Sequence, residues 1–256
     1  MIREGSGEPL MLLHGVTGAE GMWEEVVPLL APHFDTIAPT ALGHSGGRTP
    51  AGRPVRMEHV VDDAERTLDE LGVPKAHLVG NSMGGWMALE LARRGRALSV
   101  CALSPSGTWP AGQGPHNKTR QRLRQSQKDA RRARPILPLL LRFSRMRRFG
   151  MRLNAVHGER LSARFMIDRA HEHVACEVLD DILATPESLE ALDPLPCPVT
   201  IAWSSEDRVL PLKSNGKFAR EHMPEARFLV LEGVGHVPFF DDPELTARTI
   251  VESTRA

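Results

Sequence analysis

The pattern G-x-S-x-G occurs twice in this chain, as "GHSGG" at residues 43–47 and as "GNSMG" at residues 80–84. A serine held between glycines on a tight turn is an alcohol that a neighbouring base can convert into a nucleophile. The pattern alone is weak: roughly one chain in ten with 22 Gly and 14 Ser would contain it by chance. Context separates the two copies. A nucleophile elbow needs a strand before the serine and a helix after it, because the sharp turn lifts the hydroxyl above the sheet edge. Ser45 follows the polar loop "PTAL" and precedes "RTPAGRPV", whose Pro and Gly residues stop a helix from starting there. It reads as a glycine loop. Ser82 follows the apolar run "AHLVG" and leads into "MGGWMALELARR", with apolar residues at helical spacing. A plain N-cap role would explain a serine at this point, but not the flanking Gly80 and Gly84, which remove side chains where strand and helix crowd together. Ser82 is the candidate nucleophile.

A serine needs a base, and the base needs a carboxylate to hold it in one tautomer. Of 11 histidines, His236 lies in the Gly-rich "EGVGHVPF", just beyond the last apolar run "ARFLVLE". His59, His77, His116 and His222 lie in or beside elements where surface or packing roles suffice. "HEH" at 171–173 gives no metal site, because i and i+2 on a helix face different ways and no third ligand is evident. For the carboxylate, "VTIAWSSEDRVLP" offers Glu206 and Asp207 directly after a strand-like run. Asp207 is preferred, with Glu206 kept as the alternative. A tetrahedral intermediate also needs two N–H donors. The Met83 amide at the helix start supplies one, and the Val16 amide in the loop "LLHGVTG" the other. His14 is expected to fix that loop through hydrogen bonds. No cofactor is called for, and the absence of Tyr removes that residue from any mechanism.

These residues must be positioned by a common scaffold. Apolar runs at 9–14, 35–39, 76–80, 98–104, 198–204 and 226–232 read as buried strands, separated by helix-length segments. Continuous rather than alternating hydrophobicity implies an α/β fold: a mostly parallel sheet with helices on both faces. Each candidate then falls at the carboxyl edge of the sheet, where such folds bind ligands. The leading run starts near Pro9, leaving room only for a stub of strand before it, or for a true start further upstream. After "ALSPSG" the alternation stops and about 80 residues look helical. These residues are also strongly basic: from Lys118 to Arg169 there are 16 Lys and Arg against three acids. A helical cap over residues 109–191 is therefore expected, inserted into a core of residues 1–108 and 192–256.

The chain as a whole is neutral, with 32 basic and 32 acidic residues, so net charge points to no nucleic-acid partner. No apolar run approaches the ~20 residues that cross a bilayer, and the N-terminus lacks the apolar core of a secretory signal. Three unclustered cysteines fit a reducing, cytoplasmic setting rather than a disulfide framework. The oligomeric state is open. The basic cap has three readings: it steers anionic substrates, it lies on an anionic membrane surface, or it is a solvated face balanced by the acidic remainder. Trp109, Phe143 and Phe239 are candidates for lining an acyl pocket, with core packing as the alternative.

In this order and spacing, "LLHGVTG", "GNSMGG", "SSEDRVLP" and "GVGHVPF" resemble the α/β-hydrolase superfamily, and more closely its bacterial serine esterase and C–C-bond hydrolase branch with a helical cap. The resemblance covers nearly the whole chain. It implies a Ser82–His236–Asp207 triad and hydrolysis of an ester or related acyl bond in a small apolar substrate. The same triad serves C–C hydrolases of vinylogous diketones, cofactor-free haloperoxidases and lyases, and an inert ligand receptor is a further alternative. Haloalkane dehalogenases and epoxide hydrolases of this fold resemble the chain too, but carry Asp where it has Ser82, and the latter use cap tyrosines. Thr40 departs from the acidic residue that many relatives have in the segment "PTALGHSGG".

Overall fold

The structure, a computed structural model, describes residues 1–255. Seven strands form one sheet: β1 (Ile2–Glu4), β2 (Pro9–Leu13), β3 (Asp35–Ala38), β4 (Ala76–Asn81), β5 (Ala97–Leu103), β6 (Val199–Ser204) and β7 (Arg227–Leu231). Their order is β1-β3-β2-β4-β5-β6-β7. All neighbours are parallel except β1, which pairs antiparallel with β3. The six apolar runs all become strands, and β1 is the expected stub.

The helices are α1 (Val27–Leu30), α2 (Met57–Glu70), α3 (Met83–Arg93), α4 (Asn117–Ala133), α5 (Leu137–Leu140), α6 (Ser144–Met151), α7 (Ala163–Ala175), α8 (Leu179–Ala184), α9 (Lys217–His222) and α10 (Pro243–Ser253). Two of the helix-length segments break where proline forces them to. Residues 20–30 form a 3-10 turn over Glu20–Trp23 and then α1, with Pro28 in its first turn. Residues 135–153 form a 3-10 turn, α5 and α6 instead of one helix. Pro135 and Pro138 lack the N–H that a helix interior requires, so each can stand only near a helix start.

Alternate residues of the strands feed two cores, one on each face of the sheet. From β2, Met11 and Leu13 pack with Leu78, Trp86 and Val100. Leu10 and Leu12 point the other way, to Trp23, Val79 and Phe239. Although its composition differs sharply, the segment between β5 and β6 shares both cores. It supplies Val178, Leu179 and Ile182 to the first and Leu141, Met151 and Phe165 to the second. Its helix α4, by contrast, buries no residue fully.

This segment is anchored over loops at the carboxyl ends of the strands. Arg169 of α7 donates to the Gly21 carbonyl at 2.6 Å. His173 is bonded to Thr17 Oγ1 at 2.7 Å and to Ser126 Oγ at 3.0 Å. Val178 fills the space where Gly43 would carry a Cβ.

Candidate active site

Ser82 joins β4 to α3 with φ 56° and ψ −115°. A non-glycine residue held there stores of order 1–3 kcal/mol, which the surroundings must enforce. They do so through the backbone: Ser82 N–H donates to the Leu103 carbonyl at 3.0 Å, and its own carbonyl accepts from Trp86 and Ser106. The glycines of the motif are required by contact. A Cβ on Gly80 would fall on the Gly84 carbonyl, and one on Gly84 would fall on the Leu13 carbonyl. Ser45, in contrast, lies in a turn with neither strand nor helix beside it.

Beyond β6, the carboxylate of Asp207 accepts three hydrogen bonds. Its Oδ1 takes the N–H groups of Val209 (2.9 Å) and Leu210 (2.7 Å), and its Oδ2 lies 2.7 Å from His236 Nδ1. A carboxylate oxygen accepts, so Nδ1 is the donor in this bond, and in the neutral ring Nε2 is the acceptor. The pair is dry, with the His236 side chain 6% exposed and that of Asp207 0%. Glu206 points into solvent. His236, in the loop after β7, is held from behind: Asn81 Nδ2 donates to its carbonyl at 2.9 Å, and Val237 N–H donates to Asn154. Ser82 and His236 are not hydrogen-bonded to each other. Such contacts commonly tighten only when substrate is bound.

Facing the elbow is the loop after β2. A Cβ on Gly15 would stand 3.4 Å from Ser82 Cβ, so the segment His14–Val16 lies directly against the serine. Among the described residues, neither the Val16 nor the Met83 N–H is used within the protein. Met83 is the first residue of α3, where backbone donors are left without helical partners. His14 braces the loop by accepting from Ala41 N–H at Nε2 (2.9 Å) and contacting the Gly15 carbonyl through Nδ1 (2.8 Å). Burial lowers its pKa to about 4, which keeps it neutral. His44 packs edge-on against it and is lowered to about 3, by burial first and by His14 second.

Three residues here escape sequence reasoning. Asn81 ties the elbow to the His236 loop. Asp241 collects the N–H groups of Gly235, Val156 and His157 at 2.7–3.0 Å, joining that loop to the basic segment. In sequence it looks like part of the "DDP" cap of α10, a role that Asp242 fills. His173, one of the "HEH" pair, turns inward to hold the Thr17 loop, and burial lowers its pKa to about 4. None of the three aromatic candidates for an acyl pocket is placed at the serine by these contacts. Trp109 packs edge-on against Trp86, Phe239 stacks on Trp23 in the core, and Phe143 is 61% exposed. Among the described residues no group of His, Cys, Asp and Glu could hold a metal ion, and no helix is long and apolar enough to cross a membrane.

A serine on the turn after β4, a carboxylate beyond β6 and a histidine beyond β7 all stand at the carboxyl ends of strands in an α/β sheet. A model of the alpha/beta hydrolase family matches residues 10–249, and the chain belongs to that family. It is 34% identical over 199 residues to epoxide hydrolase EphH of Mycobacterium tuberculosis, covering 72% of this chain and 88% of that one. It is 44% identical over 94 residues to 2-hydroxymuconate semialdehyde hydrolase of a Pseudomonas species, a match that spans 35% of this chain and 33% of the relative. A thermophilic esterase from Thermogutta terrifontis shares the fold with a TM-score of 0.74 at 23% identity, over 99% of this chain and 92% of its own. So does 2-hydroxy-6-oxo-6-phenylhexa-2,4-dienoate hydrolase from a Rhodococcus species, at a TM-score of 0.75 and 21% identity, over 99% and 98%.

Proposed function

We propose that this chain is a serine hydrolase that cleaves a carboxylic ester, or a related acyl bond, of a small apolar substrate through an acyl-enzyme. The observation that carries the reading is the dry His236–Asp207 pair, whose histidine Asn81 ties to the residue before a serine held at positive φ. Ser82 Oγ attacks the substrate carbonyl carbon and its proton passes to His236 Nε2. The Nδ1 proton stays in its bond to Asp207, which stabilises the imidazolium. The Val16 and Met83 amides receive the oxyanion. When the carbon–oxygen bond breaks, the departing alkoxide takes the proton from Nε2. Water then repeats the cycle on the acyl-enzyme and releases the acid and free Ser82.

The relation to an epoxide hydrolase does not favour epoxide opening here. A carboxylate nucleophile on an epoxide makes an ester, whose carbonyl water can attack. Ser82 would make an ether, which offers water no carbonyl and would trap the enzyme. A second reading, C–C cleavage of a vinylogous diketone, draws support from the local 44% identity to a semialdehyde hydrolase and uses the same residues. Three free cysteines, two of them buried, support a reducing compartment and hence the cytoplasm as the place of action. Assaying acyl esters of increasing length beside a diketone and an epoxide tests the reading. Turnover of short esters is expected. Turnover of the epoxide alone would overturn it.

A further inference from the structure

Five of the nine large hydrophobic side chains that stand exposed among the described residues fall within residues 136–149. Ile136, Leu139, Phe143 and Phe149 are each more than half exposed, and Met146 is 39% exposed. Single exposed apolar residues need no explanation, but five within fourteen consecutive residues mark a candidate contact surface. The charge within this stretch of chain is of one sign. Residues 131–158 hold eight arginines and no Asp or Glu.

The arginines are also arranged. Arg145, Arg148, Phe149 and Arg152 recur at helical spacing along and just beyond α6, and with Arg208 they line an open basin of about 280 Å³. Arg152 lies over the Phe149 ring at 3.9 Å, so cation and aromatic share one face. Arg147 is spent on the carbonyls of Leu141, Arg142 and Glu159 and serves the fold. Arg148 reaches Glu159 only at 3.9 Å.

We propose that this face, from the 3-10 turn at Arg134 through α6, docks on an anionic lipid bilayer. Its apolar side chains enter the acyl boundary and the basin arginines take lipid phosphates. A soluble anion would occupy the basin but leave Ile136, Leu139 and Phe143 in water. The same face of a second copy would meet it with like charge. An anionic bilayer offers phosphate and hydrocarbon together, matching both features at once. The docked face would lie beside the candidate site, since a Cβ on Gly235, next to His236, would stand 2.7 Å from the Asn154 carbonyl just before the basin residue Ala155.

The test is flotation of the full chain carrying Ser82→Ala, so that no turnover alters the lipid, with phosphatidylcholine vesicles that contain or lack phosphatidylglycerol. Binding only to the phosphatidylglycerol vesicles, weakened by salt, is expected. Arg145→Gln with Arg148→Gln should weaken it about thirtyfold, at about fivefold per arginine. Phe143→Ser with Phe149→Ser should abolish insertion while leaving the melting temperature unchanged, since both side chains are exposed. The proposal is overturned by failure to bind either vesicle, or by binding that the phenylalanine variant retains and inorganic phosphate competes away, which would mark a site for free anions. Concentration-dependent dimerisation lost in the phenylalanine variant would equally replace it with contact between copies.

Discussion

Asn81 Nδ2 donates to the main-chain carbonyl of His236 at 2.9 Å, joining the residue before the elbow serine to a loop 155 positions further along the chain. The same amide reaches the Leu103 carbonyl at 3.2 Å. This side chain is therefore one of the ties between the candidate nucleophile and its candidate base, beside Asp241 on Gly235 N–H and the Val237 N–H bond to Asn154. Asn81→Ala removes both bonds and lets the histidine loop drift. A misplacement near 1 Å lowers turnover about a hundredfold. Steady-state kinetics on an ester should show the loss in kcat, with KM little changed. An unchanged kcat would free Asn81 of this role.

Asp207→Asn keeps the size of the side chain and removes the charge that stabilises the His236 imidazolium. The amide can also donate where the carboxylate only accepted, which turns the ring to the wrong tautomer. The expected drop in kcat is roughly 10⁴-fold. Glu206→Gln, altering an exposed acid, should leave activity within twofold. A comparable loss in the Glu206 variant would transfer the assignment.

Gly84→Ala drives a methyl group into the Leu13 carbonyl, backbone against backbone, where no side chain can rotate away. The expected destabilisation is about 2–3 kcal/mol, read from urea unfolding. Gly52→Ala, where a Cβ would meet nothing within 4 Å, is the matched control and should change stability by less than about 0.5 kcal/mol.

The sequence patterns that survive contact with the structure are those with a local physical cause. The inner apolar runs become strands because a strand covered on both faces tolerates little polar surface, and this is visible in any short window. The elbow is legible because glycine on both sides of Ser82 is a steric demand written next to the serine itself. The Asp207–His236 pair is legible because its two residues lie in the loops that follow β6 and β7. Asn81, Asp241 and His173 are not, since their partners lie far away in the chain and nothing local distinguishes them from a strand end, a helix cap and a surface histidine. The break of the 135–153 segment was written in Pro135 and Pro138. Its apolar run obscured them, because leucines at helical spacing look alike whether they are buried or, as with Leu139, left in water.

Acid should weaken the fold through three histidines that are buried neutral. Burial lowers His14 and His173 to about 4 and His44 to about 3, from an ordinary value of 6.5. Below pH 6.5 the unfolded chain takes up protons that the folded chain refuses, so stability is full above that pH. It falls progressively towards pH 4, by about 1.4 kcal/mol per pH unit for each histidine. His173→Gln should remove one such increment from the slope, measured by urea unfolding between pH 7 and pH 4.5. It should also lower kcat more than it changes KM, because the Thr17 loop loses its brace. An unaltered slope would show that His173 is not neutral by burial.

The assignment of Ser82 as the nucleophile is tested most directly by intact-mass analysis after treatment with a fluorophosphonate, followed by peptide mapping of the adduct. One equivalent should attach to Ser82, persist in Ser45→Ala, and vanish in Ser82→Ala and in His236→Ala. Labelling that survives Ser82→Ala, or an adduct mapped to another serine, would contradict it.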